Sequence, residues 1–334
     1  MDNNDTGQQM LIIDTEAHPL GEYRKDLGYF PHLRHTKEAM DERRRLRANQ
    51  TPDLSWGDDV GDACVHDMDL AGVNLAWCSR HDLRDSAMGY PLSTNGQMFE
   101  LCSKHPDRLL FAANLGQVVR RGMKDSLWEL DYWVKEGGCR IVKYYCPDDT
   151  YMNDERLWPF YEKCQGYGLI VCIHTGASAT IPQPSKFAHP LLLDDVCAAF
   201  PDLRIVAYHL GWPWYREMLQ LMQKYQNLYS NISGKPEAVM RKAPWTAHQF
   251  IGEAMAEGVG EKIMWGSEWP SRQYPQAVKA MQDLEGMPDE FARGFGLPPL
   301  TDEIKRSILG GAAAKLLGIS PTKKGASIAA AQVV

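Results

Sequence analysis

Five side chains that can handle protons or metal ions recur at one kind of place in this sequence, the end of an apolar run. "LIIDTEAH" ends on Glu16 and His18, "LIVCIH" on His174, "LRIVAYH" on His209 and "KIMWGSE" on Glu268. In an extended strand, residues i and i+2 share a face, so Glu16 and His18 project together. Such a Glu-x-His pair could be a simple ion pair. Three histidines and two carboxylates at equivalent strand ends argue for more, because crowded charges need a neutralising partner when buried. A divalent cation is such a partner, and mixed nitrogen and oxygen donors suit zinc or manganese.

These residues need a scaffold that gathers strand ends. Eight short runs rich in Val, Ile and Leu occur at 11–15, 72–77, 109–113, 139–145, 169–173, 203–208, 227–232 and 262–266. They show little polar alternation, as parallel strands buried on both faces do. Helix-length stretches follow them at 58–71, 92–105, 124–136, 154–166, 190–200, 214–225 and 246–258, with 273–284 and 302–318 after the last. Eight strand–helix alternations predict an α/β fold, a (β/α)₈ TIM barrel, whose C-terminal strand ends carry the chemistry. An open doubly wound sheet is the alternative, but no GxGxxG follows a strand.

The predicted domain is a single one over 11–319. Residues 19–57, directly after strand 1, form a long insert with the character of a lid. Residues 1–10 and the low-complexity tail 320–334 are expected to be disordered. The 334 residues include 36 Lys and Arg against 43 Asp and Glu, a formal charge of −7. That balance argues against nucleic acid. No run reaches the ~18 apolar residues of a membrane span. The polar N-terminus is unlike a secretory signal, and eight cysteines without a CxxC pair suit a reducing, cytoplasmic location.

"HTG" (174–176), "HLGWPW" (209–214), "NISG" (231–234), "GSEWP" (266–270) and the closing "GGAAAKLLG" (310–318) together resemble the amidohydrolase superfamily. The branch is amidohydrolase-2, typified by aminocarboxymuconate semialdehyde decarboxylase and related aromatic-acid decarboxylases. The resemblance spans about 11–319. It implies one divalent metal ion, zinc first and manganese second, held by Glu16, His18, His174 and Glu268, with His209 handling protons. It also implies a homodimer or higher homo-oligomer, in which Arg216 could reach the site or a subunit boundary. Two departures are informative. Glu268 stands where an aspartate is usual, as in a hydratase and a carbon–carbon hydrolase of the branch, and Trp212 stands where its decarboxylases tend to carry a glutamate.

Two carboxylates and two neutral imidazoles would neutralise a dication and blunt its acidity toward bound water. Such a site suits holding a chelating substrate. The leading expectation is non-oxidative decarboxylation of an aromatic or unsaturated carboxylic acid, with His209 delivering the proton. The alternative is hydrolysis or hydration of a carbon–carbon, lactone or amide bond by an activated water, with Glu268 or His209 as base. The expected partner is a small carboxylic acid, with Lys143 near the end of strand 4, Trp212 and Arg216 as candidate substrate contacts.

Overall fold

The structure is a computed structural model, described here for residues 10–19, 60–80, 93–178, 183–270 and 272–319. The insert assigned as a lid, the N-terminus and the tail expected to be disordered lie outside the described residues.

Eight strands run β1 (Ile13–Ala17), β2 (Leu75–Ser79), β3 (Leu109–Asn114), β4 (Ile141–Tyr144), β5 (Ile170–His174), β6 (Arg204–Tyr208), β7 (Leu228–Asn231) and β8 (Ile263–Met264). They pair in sequence order, each ladder parallel. The segment after β8 returns to β1: Thr15 N donates to Trp265 O (3.1 Å), His18 N to Trp269 O (2.7 Å) and Glu268 N to Glu16 O (2.8 Å). These bonds seam the sheet into a TIM barrel. All eight runs read from the sequence are strands, and β8 is the shortest because its ladder gives way to this seam.

Helices Val60–Ala71, Asn95–Lys104, Met123–Lys135, Trp158–Gly166, Leu193–Ala199, Tyr215–Lys224 and Pro244–Ala256 cover the outside. Their starts follow local chemistry. Thr94 forms a capping box with Gln97, its hydroxyl accepting from Gln97 N (3.1 Å) while Thr94 N donates to Gln97 Oε1 (2.9 Å).

The core has two compartments. Inside the barrel lie Ile13, Leu75, Trp77, Ile141, Ile170, Cys172, Val206, Tyr208 and Met264, closed at the bottom by Ala312–Ala314 and Leu316. The closing segment is small because it must come close: a Cβ on Gly310 would stand 2.1 Å from the Leu11 carbonyl oxygen. The larger compartment, between sheet and helices, takes Ala17, Ala76, Cys78, Val142, Ile173 and Ala207 among others. All eight cysteines are buried free thiols. No helix among the described residues is long and apolar enough to cross a membrane.

Strand β1 breaks the alternation in a way that matters. Ile13 belongs to the inner compartment and Ala17 to the outer, although their even spacing should place them on one face. The pairing register with β2 shifts between Asp14 and Ala17. A bulge of this kind re-aims side chains, and here it turns Glu16 into the barrel mouth.

Candidate metal centre

Each expected residue sits at the C-terminal end of its strand. Alternation on β4 and β5 carries Lys143 inward beyond Ile141, and His174 inward beyond Ile170 and Cys172. His209 and Glu268 occupy the turns after β6 and β8, with left-handed φ values of 66° and 55°. Non-glycine residues in this region cost about 1–3 kcal/mol each and persist where the surroundings impose them. Hydrogen bonds from the two main-chain amides impose them here: His209 N donates to the Asn231 side-chain Oδ1 (2.9 Å), and Glu268 N to Glu16 O (2.8 Å).

Glu16 is the hub. Its Oε1 lies 3.3 Å from His18 Nε2 and accepts from Lys143 Nζ at 3.0 Å. Its Oε2 accepts from Ser233 Oγ at 2.5 Å and lies 3.7 Å from His209 Nδ1. His209 Nε2 is in turn 3.7 Å from Glu268 Oε1. Burial alone would raise the Glu16 carboxyl, but the Lys143 ammonium, His209 and His18 outweigh it and hold the group well below the usual carboxylate range. Glu268 is the most exposed of the set, its side chain 22% accessible against 1% for Glu16. The cluster thus opens toward solvent at Glu268.

The tautomer of His18 follows from its neighbours. Its Nδ1 is 2.9 Å from the Ser79 carbonyl oxygen, which can only accept, so the hydrogen sits on Nδ1. In the neutral ring Nε2 then offers its lone pair to the side holding Glu16 and Lys143. This is the outer hydrogen bond that commonly orients a metal-binding imidazole. His174 packs edge-on to Tyr145 and His209, with ring centroids 4.7 and 4.8 Å away. Burial, together with His209 and Lys143, keeps it neutral by pushing its pKa well below the ordinary histidine value, against the opposing pull of Glu16. Its buried Nε2 has no hydrogen-bond partner among the described residues, an uncommon state that an ion or a substrate atom would relieve.

Donor atoms of Glu16, His209 and Glu268 all lie within 4.8 Å of one another. Two carboxylate oxygens and an imidazole nitrogen fit a divalent cation of the zinc or manganese kind, and the His174 ring, with its unpaired Nε2, packs against His209. The grouping keeps Glu16 and Glu268 of the expected four ligands, has His209 in place of the expected imidazoles, and does not include His18 or His174. His18 touches Glu16, and His174 touches His209.

Other assignments fare differently. Lys143 lies inside the cluster, 3.0 Å from His18 Nε2 as well and 5.1 Å from the Tyr208 ring centroid. Trp212 stacks on Tyr215 at 5.9 Å and meets Phe250 edge-on at 6.0 Å, so its ring packs on the following helices. Arg216 is not brought to the cluster. It is largely exposed and grips Glu253 through two bonds of 2.9 and 2.8 Å.

Two positions had no role assigned to them. Ser233 bridges Glu16, His209 and Asn231, its Oγ 2.9 Å from His209 Nδ1 and 2.8 Å from Asn231 Oδ1. Asp14 binds the backbone of both glutamate-bearing segments, Oδ1 accepting from Glu16 N and Ser267 N at 2.9 Å each. Burial lifts its carboxyl to about 7, against hydrogen bonds from Ser267, Glu16 and Tyr274. "NISG" contained the signal for Ser233; nothing in "LIID" distinguished Asp14 from a strand residue.

Acids and imidazoles crowd the C-terminal mouth of a closed barrel, the face where TIM-barrel enzymes place their chemistry. The amidohydrolase family model matches residues 80–319, and the chain belongs to that family. Its enzymes are metal-dependent. No curated protein matches the chain significantly. Among solved structures, an uncharacterized TIM-barrel protein from Bordetella bronchiseptica is 20% identical, with TM-score 0.66, covering 92% of this chain and 98% of that one. 5-Carboxyvanillate decarboxylase from Sphingomonas paucimobilis is 16% identical, with TM-score 0.57 and coverage of 93% and 100%. A probable 2-pyrone-4,6-dicarboxylic acid hydrolase from Acinetobacter baumannii is 18% identical, with TM-score 0.53 and coverage of 92% and 100%.

Proposed function

We propose that the protein is a metal-dependent decarboxylase of an aromatic or unsaturated carboxylic acid. The observation that carries this reading is the pairing of two carboxylates, Glu16 and Glu268, around His209 within one 4.8 Å cluster. Glu16, His18, His174 and Glu268 would hold the ion, zinc or manganese. When bound, a dication with this many anionic ligands supplies charge neutralisation and a grip on substrate oxygens more than a strongly acidified water.

The protein's own groups would do the rest. Lys143, buried beside Glu16, carries the positive charge that can meet a substrate carboxylate. His209 lies between Glu16 and Glu268 with Nδ1 tied to Ser233, which fixes the ring and leaves Nε2 on the Glu268 side. His209 takes a proton from solvent on Nε2 and, as the bond to CO₂ breaks and its electron pair stays on carbon, gives that proton to the carbon. The solved decarboxylase of similar fold is consistent with this chemistry.

A second reading rests on Glu268, the accessible carboxylate 3.7 Å from His209 Nε2, which is placed to activate water for hydrolysis or hydration. One experiment separates the two. Metal-loaded protein is offered a panel of hydroxybenzoates and unsaturated acids, and released CO₂ is measured in parallel with ¹⁸O transfer from water into organic product. CO₂ without ¹⁸O transfer supports decarboxylation. Label in the product, with no CO₂ across the panel, replaces it with hydrolysis. His209→Asn should abolish turnover while metal content by elemental analysis stays near wild type. Loss of the metal would instead make His209 a ligand.

A further inference from the structure

A cavity of about 510 Å³ lies at the other end of the barrel from the Glu16–Glu268 cluster. It is walled by Phe99, Leu110, Phe111 and Ile319, and it also takes in Arg140 and Arg204. Arg140 directly precedes β4 and Arg204 opens β6, so both stand at N-terminal strand ends. That face of such barrels ordinarily serves stability, but two like charges beside one apolar hollow repel each other. Arg204 is half-buried; burial and the positive charge of Arg140 both push its pKa down. Among the described residues its guanidinium donates to carbonyls, those of Gly168 and Leu316. Neither arginine has an acidic partner among the described residues.

An apolar hollow of this size falls within the ~300–1,000 Å³ typical of small-molecule sites. Paired guanidinium groups recognise carboxylates by planar, two-point hydrogen bonding. We propose that this cavity is a second binding site, for a monocarboxylate with an apolar chain or ring, its carboxylate between Arg140 and Arg204 and its body against Leu110, Phe111 and Ile319. The site is separate from the reaction site and stands whichever reaction occurs there.

The test is calorimetric titration of the full chain with sodium octanoate, with 1-octanol as the uncharged control. Octanoate should bind saturably and at least ~10-fold more tightly than octanol. Arg140→Glu, a change on an exposed side chain, should weaken it at least ~10-fold without lowering the melting temperature. Leu110→Trp, which fills the hollow, should weaken octanoate and octanol alike. No saturable heat, equal affinity for the two probes, or octanoate affinity unmoved by both substitutions would each overturn the proposal.

Discussion

The Nζ of Lys143 stands 3.0 Å from Glu16 Oε1 and 3.0 Å from His18 Nε2, so one ammonium occupies two of the atoms assigned to the metal ion. Both cations draw on the same lone pairs and repel each other. Lys143→Met should therefore have two opposite effects. Without metal, Glu16 loses its counter-ion in a buried setting, a change that costs about 3–5 kcal/mol, and the melting temperature falls. With metal, the competitor is gone, and zinc or manganese should bind about tenfold tighter or more, with a larger metal-induced rise in melting temperature. Equilibrium dialysis beside thermal melts reads both. Weaker metal binding in the variant would show that Lys143 supports the ion and does not compete with it.

Gly234 lies beneath the site with φ of 64°, and a Cβ there would meet His209 Nδ1 at 2.8 Å and Glu268 Oε1 at 3.2 Å. Gly234→Ala should push both side chains apart as well as straining the backbone. About 1 kcal/mol or more of stability should be lost. Turnover should drop about 10²-fold, since displacements near 1 Å at reacting groups have that scale. Chemical denaturation and steady-state rates separate the two. A variant with full activity would mean that His209 and Glu268 need no fixed spacing.

The barrel and the mouth residues were legible because both follow periodicities. Apolar runs without alternation marked the eight strands, and each histidine or glutamate terminating a run marked the same rim. Pairwise contact was less legible. The i, i+2 rule put Glu16 beside His18, yet Glu16 faces the mouth only because the register shifts between Asp14 and Ala17, and no residue type signals that shift. Ser233 and Asp14 act through hydrogen bonds across sequence separations of 217 and 253 residues, distances over which a sequence pattern carries no geometry. Arg216 was placed near the site by its position after "HLGWPWY", but a helix beginning at Tyr215 turns it toward Glu253.

Away from the mouth, Glu129 ties Asn95 Nδ2 (2.7 Å) and Trp133 Nε1 (3.1 Å) to Arg121. Partial burial raises its carboxyl, but the Arg121 guanidinium and these donors prevail and hold it below its ordinary value of 4.5. A folded-state value below the unfolded one contributes stability above pH 4.5 that is lost as pH falls through the folded value. Glu129→Gln should thus cost about 1–2 kcal/mol at pH 7, and the gap to wild type should be smaller at a pH well below 4.5. Urea titrations at the two pH values measure it; a gap independent of pH would assign the effect to packing.

Ser233 makes the sharpest demand on the site's order. Its hydroxyl has one hydrogen and three partners: Glu16 Oε2, Asn231 Oδ1 and His209 Nδ1. The two oxygens can only accept, so when the hydroxyl donates to either, His209 must donate through Nδ1, and the neutral ring then presents an unprotonated Nε2 toward Glu268. Ser233→Ala removes the group that fixes this tautomer and one bond to the hub carboxylate. Stability should fall by about 1–3 kcal/mol for the buried acceptor left unpaired. Metal affinity or activity should fall about 10–100-fold, the usual effect of removing an outer hydrogen bond to a ligand. Ser233→Thr keeps the hydroxyl and should recover most of it. The measurement that isolates the tautomer is the ¹⁵N shift pattern of His209: wild type should show hydrogen on Nδ1, and Ser233→Ala a mixture. Unchanged shifts in the variant would mean that Ser233 does not set the ring, and that the His209 hydrogen is fixed by something else at the barrel mouth.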